Sequence, residues 1–172
     1  MLEDYYLKAI PYKRSPIIRC VSCGLKEYET SGSEYIRSVG AIVEDWEKIY
    51  GTSEGTAEEI AVELESIKET QEDSLENIPE QLREGDAGQT LQLRIDSLED
   101  AIKELENISY EDLKDEVRND AEDSIGVYDE EDEECEFDSK EDWENAVAEE
   151  MDTLAEDSYI QAIDEALSYI EM

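Results

Sequence analysis

Histidine is absent from the sequence, and its absence removes the commonest general base and the usual partner of a catalytic Ser or Cys. A P-loop, a G-x-G-x-x-G turn and a G-x-S-x-G elbow are missing as well. Fifty-one Asp and Glu supply carboxylate pairs at every spacing, so a pair with glycosidase-like separation carries no weight. These absences argue against an enzyme, and no cofactor is expected.

Nowhere do eighteen apolar residues run together, and no charged-then-apolar leader ends in a small-residue cleavage site. Neither a membrane span nor export is expected, which places the chain in a cytoplasm. The three cysteines are an odd number in a chain with enough apolar residues for a core, so they are expected to be reduced thiols. Cys20 and Cys23, two residues apart and followed by Gly24, have the spacing of half a zinc knuckle. Four ligands are needed for a structural zinc site, and only Cys135 remains. Zinc would therefore take a carboxylate ligand, or two chains would each give a pair; the plainer reading is two small thiols in a hairpin. The acidic stretch "DEEDEECEFDSKE" lacks the glycine and the alternating order of a calcium-binding EF-hand loop.

What is abundant is negative charge: 34 Glu and 17 Asp against 8 Lys and 6 Arg, a net of −37. Residues 1–26 hold five bases and two acids, residues 27–119 hold 27 acids and eight bases, and residues 120–172 hold 22 acids and Lys140 alone. Acidity thus rises along the chain behind a basic start. A halophile's surface would favour Asp over Glu and avoid Lys, the opposite of this composition. At 39% apolar residues, including ten Tyr and two Trp, the chain is also too apolar to remain unfolded. The acids coat something folded, and self-repulsion of this size opposes its stability.

The apolar spacing from residue 31 onward is helical. Tyr35, Val39, Ile42, Trp46 and Ile49 form one stripe, with Ser31 and Glu34 as an expected capping box and Gly51 as the stop. A second box, Thr56 with Glu59, opens a stripe of Ile60, Leu64, Ile67 and Leu75 or Ile78, ended by Pro79. After a break from Gly85 to Gly88 come Leu91, Ile95, Leu98, Ile102 and Leu105. Two long amphipathic helices joined by a short Pro- and Gly-containing connector predict an antiparallel helical hairpin. Ser109 with Asp112 predicts a fourth helix through Leu113 and Val117 to Ile125, stopped by Gly126. Ser139 with Asp142 then opens a stripe of Trp143, Val147, Met151, Leu154, Ile163, Leu167 and Ile170, as one long helix or two short ones.

The expected fold is therefore all-α, a helical bundle with heptad-like stripes. Its parts are a basic arm at 1–30, irregular or a β-hairpin, a bundle at 31–125, an acidic loop at 126–138 and an acidic C-terminal helix or helix pair at 139–172. Trp143 and Tyr159 read as core anchors in preference to contact residues.

The segment from Glu63 to Ile108, with "NIPEQL" at Asn77 to Leu82 as its most specific part, resembles a stretch of uncharacterised phage and prophage proteins in which such a turn joins two acidic helices. The resemblance covers about a quarter of the chain and implies a phage-related origin, hence the cytoplasm of an infected bacterium. In charge, size and helicity the whole chain is similar to the acidic DNA-mimic proteins with which phages block restriction enzymes and CRISPR nucleases. Spread along a helix, the last third would carry a carboxylate about every 3.6 Å, against roughly 3.4 Å per phosphate of one DNA strand. The likeness implies an inhibitor that occupies the nucleic-acid groove of a basic DNA- or RNA-binding protein without binding nucleic acid itself. Its partner-facing residues are expected to be Asp129, Glu130, Glu131, Asp132, Glu133, Glu134, Glu136 and Asp138 of the loop, and Glu141, Asp142, Glu144, Glu149, Glu150, Asp152, Glu156 and Asp157 of the last helix. The alternatives are an acidic assembly factor or chaperone for a basic partner, and a self-associating bundle, including a homodimer, whose stripes pair between chains.

Overall fold

The computed structural model describes residues 5–8, 17–20, 26–126, 128, 137 and 139–171. Two short strands, β1 (Tyr5–Lys8) and β2 (Ile17–Cys20), pair antiparallel with Tyr5 opposite Cys20 and Lys8 opposite Ile17. Among the described residues eight helices follow: α1 (Glu27–Thr30), α2 (Glu34–Tyr50), α3 (Thr56–Asn77), α4 (Glu80–Arg83), α5 (Asp86–Glu106), α6 (Tyr110–Glu116), α7 (Arg118–Ile125) and α8 (Lys140–Leu167). The fold is all-α.

One core is drawn from four of these helices. Val39 and Trp46 of α2, Ile60 and Leu64 of α3, Leu98 and Leu105 of α5, and Tyr159 and Ile163 of α8 are all buried in it. Each fully buried Leu or Ile contributes roughly 1.5–3 kcal/mol relative to exposure, and these side chains hold the bundle together against the repulsion of its coat. α3 and α5 form the expected hairpin. Leu75 lies beside Gln92 at one end, and Lys68 is within electrostatic reach of Glu99 further along, so the two helices run antiparallel.

Local chemistry sets most of the boundaries. Gly51 and Gly126 end α2 and α7 at φ of 81° and 87°, a backbone region costly for any residue with a Cβ. Ile78 is extended ahead of Pro79, as the residue before a proline prefers, and α3 ends there. The side chains of Ser109 and Ser139 accept from the backbone N–H groups of Asp112 and Asp142 and cap α6 and α8.

Several expectations are corrected. Ser33, not Ser31, caps α2, its hydroxyl accepting from the Ile36 N–H, while Ser31 Oγ accepts from the Ser33 N–H. Thr56 is no cap, because α3 begins at it and Gly55 occupies the cap position in a left-handed conformation. The Ala57 N–H is satisfied at long range by the hydroxyl oxygen of Tyr159, at 2.9 Å. Ile49 is 52% exposed, its neighbour Tyr50 packing against the core in its place, and Leu75 and Ile78 are half-buried. Gly88 belongs to the first turn of α5, where a Cβ would sit 2.0 Å from the Arg83 carbonyl oxygen. The single helix expected between Ser109 and Gly126 is two, α6 and α7, with Val117 at the joint.

Candidate protein-binding surface

α8 is one helix of 28 residues, but it does not bury one face. Its N-terminal half turns Val147 inward and half-buries Trp143 at the end of α7; its C-terminal half turns Tyr159, Ile163, Ala166 and Leu167 into the core shared with α2, α3 and α5, with Tyr159 edge-on to Tyr110 of α6. Val147 and Ile163 are sixteen residues apart, which at about 100° per residue places them about 160° apart around the axis. The acidic faces turn correspondingly. Glu141, Glu149, Asp152 and Glu156 fall within about 80° of one another on an outward strip, with Asp142 at its edge, while Glu144, Glu150 and Asp157 lie off it.

The helix is anchored by polar contacts as well as apolar ones. The Trp143 indole N–H donates to the Gly126 carbonyl at 2.7 Å, tying the start of α8 to the end of α7. The Ser124 hydroxyl donates to Glu150 at 3.0 Å, Lys114 pairs with Asp152, and the Thr52 hydroxyl donates to Glu156 at 2.7 Å. Asp142 accepts from the Ser139 hydroxyl at 2.7 Å, and Lys140 pairs with Glu144 at 3.3 Å. Of the eight carboxylates assigned to this helix, Glu141, Glu149 and Asp157 remain simply exposed. Glu150, Asp152 and Glu156 also tie the helix to other elements, while Asp142 and Glu144 are engaged within its own first turns. Asp129 to Glu134, Glu136 and Asp138 lie outside the described residues, as does Cys23, and only the backbone of Cys20 is described. Among the described residues no group of three or more acids or cysteines is placed to hold a metal ion.

The outward strip is sparser than the sequence average implies. From Glu141 to Glu156 the rise is about 22 Å, so four carboxylates stand roughly one per 7 Å. Neighbouring elements add to it. Glu54, before α3, joins Asp152 and Glu156 in raising the Tyr110 phenol pKa, after burial, which acts most strongly. Glu111 likewise acts on Lys114 together with Asp152. The acidic surface is thus built from α8, α6 and the turn before α3, and Glu54 and Glu111 were not among the expected contact residues. No spacing along the chain could have shown them, because they meet α8 only through the fold.

Among the bases whose side chains are described, most are engaged by the chain's own groups. Lys26 and Lys48 flank Asp45, at 2.8 and 2.7 Å, Lys68 pairs with Glu65 at 2.8 Å, and Arg118 pairs with Glu122 at 3.2 Å. Arg37 and Arg83 donate to backbone carbonyls, and Arg94 lies 4.3 Å over the Tyr35 ring. Asp45, hydrogen-bonded first by Lys26, then by Lys48 and Tyr28, is held well below the usual carboxylate range. Exposed acids therefore greatly outnumber cations available to an incoming partner.

A groove of about 420 Å³ with a mixed polar and apolar lining opens elsewhere on the same molecule, between the end of α5, α6 and the last turns of α8. Ile108, Leu113, Ala162 and Tyr169 line it, with Glu104, Asp112, Glu116 and Glu165 around them.

No protein-family model, curated protein or solved structure matches the chain.

Proposed function

We propose that the protein is a phage-type acidic inhibitor that presents a DNA-like charge and occupies the nucleic-acid groove of a basic DNA-binding protein, such as a bacterial defence nuclease. The observation that carries this reading is the surplus of carboxylates on a folded helical surface whose described bases are mostly engaged by the chain's own groups. Such a surface attracts a Lys- and Arg-lined groove over a Debye length and speeds the encounter. Self-association through heptad stripes is the weaker reading, since Val39, Leu64, Leu98 and Leu105 are already buried within one chain.

The test is to immobilise the full chain, pass bacterial lysate over it and elute with a salt gradient. A nucleic-acid-processing protein released at moderate salt and displaced by duplex DNA is the expected result. Replacing Glu54, Glu141, Glu149 and Glu156 together by Lys reverses the charge of the continuous surface. It should weaken capture by about 100-fold or more at low salt while helicity is kept. Unchanged capture by that variant, or a partner that salt and DNA do not displace, overturns the reading.

A further inference from the structure

We infer that the groove between α5, α6 and α8 is an anchor site for a cationic protein segment, one apolar side chain or two flanked by Lys or Arg. The inference rests on the reading that the partner is basic and adds where its apolar contact is made. Three observations converge on it. At about 420 Å³ the groove falls within the roughly 300–1,000 Å³ of sites that hold a ligand, and Ile108, Leu113, Ala162 and Tyr169 give an otherwise polar lining an apolar patch. Tyr169 is 48% exposed there, whereas Tyr35 and Tyr159 are 5% and 1% exposed in the core. It offers an aromatic contact that the bundle itself does not use, of the kind that anchors interfaces.

The surroundings select the charge of the occupant. Glu104, Asp112, Glu116 and Glu165 line the groove, and among the described residues no Lys or Arg does. The C-terminal ends of α5 and α8 both come to this place; α5 carries Lys103 in its last turn, whereas α8 has no base there to offset the partial negative charge of its last carbonyls. An anionic or neutral apolar segment would leave these carboxylates uncompensated, whereas a Lys- or Arg-flanked one supplies their counter-charges on docking. The outward strip of α8 lacks such an apolar centre, and attraction by charge alone gives encounter with little specificity.

The probe is a sixteen-residue peptide with Leu along one helical face and Lys elsewhere, compared with a twin in which every Leu is Ser and the charge is the same. Each is titrated into the full-length protein at physiological salt, with amide chemical shifts as the readout. The Leu peptide is expected to bind at least about 10-fold more tightly than its twin, with shifts concentrated at Ile108, Leu113 and 162–169. Ala162→Arg, which fills the groove with a cation, should erase that difference while the dichroism spectrum is kept. Glu165→Lys, on the rim, should reduce it in the same direction if Ala162→Arg fails to fold. Equal binding of the two peptides, shifts spread over all acidic helices, or a preference untouched in a folded Ala162→Arg variant overturns the inference. So does a dimer in sedimentation that Ala162→Arg dissociates, because the occupant is then a second copy. The outcome is separable from the mimicry reading: loss of displacement by DNA sinks mimicry and leaves the peptide preference standing, and equal peptide binding does the reverse.

Discussion

The two halves of α8 are joined in one helix yet are held by different means. From Tyr159 to Leu167 the helix is part of the four-helix core, with Tyr159, Ile163, Ala166 and Leu167 at 2% exposure or less. From Lys140 to Leu154 only Val147 is buried, and the helix leans on α6 and α7 through Trp143 and through pairs such as Lys114 with Asp152 and Ser124 with Glu150. Apolar burial does not weaken with salt, while exposed pairs are screened and individually contribute little. The C-terminal half therefore fixes the bundle, and the N-terminal half carries the acidic strip on a lighter attachment.

The sharpest way to break the heavier half is Tyr159→Ala. It removes a buried ring that packs edge-on to Tyr110, with centroids 5.6 Å apart, and the acceptor for the Ala57 N–H. A loss of about 3–5 kcal/mol is expected in urea denaturation followed by dichroism. Tyr159→Phe keeps the ring and should cost only about 1–2 kcal/mol; no loss in that variant would show that the hydroxyl does not cap α3.

At the lighter half, Trp143→Phe deletes the donor to Gly126. Global stability should fall by about 1 kcal/mol. Amide exchange should quicken at 140–152 and stay slow at 159–167; uniform quickening would mean that α8 opens as a single unit. Ser139→Ala removes the cap of the same end for about 1 kcal/mol, and Ser139→Asp should restore most of it.

The smallest expected effect contrasts the α2 end with both halves. Asp45 ionises more readily when folded than when unfolded because of Lys26, Lys48 and Tyr28. Its contribution is present at neutral pH and is lost as pH falls through and below the ordinary carboxylate range near 4. Asp45→Asn should cost about 1 kcal/mol at pH 7 and progressively less below pH 4. A difference from the parent that stays constant with pH would assign the loss to packing.

Much of the fold was legible because it follows from near neighbours. The stripes Tyr35–Val39–Ile42–Trp46 and Ile95–Leu98–Ile102–Leu105 are buried as their spacing requires, and Ser109, Ser139, Gly51 and Gly126 act at the ends where their chemistry placed them. The failures share a cause. Thr56 looked like a cap because Glu59 follows it, yet a tyrosine 102 residues away does the capping. The spacing from Trp143 to Ile170 reads as one stripe, yet Val147 is buried about 160° around the axis from Ile163, since the first half of α8 leaves the core and rests at the end of α7. The acids of α8 were each visible in the sequence; their engagement by Thr52, Lys114 and Ser124 was not, since those residues come from three other parts of the chain.

By itself the sequence determined that this protein is helical, strongly acidic and able to bury a core, because periodicity, capping and net charge are properties of residues and their near neighbours. Tertiary structure decided which carboxylates are spent on holding α8, which join Glu54 and Glu111 on one surface, and that a groove with an apolar patch opens between α5, α6 and α8. Each of these depends on distances between segments far apart in the chain, and those distances are set by how four apolar faces close on one another.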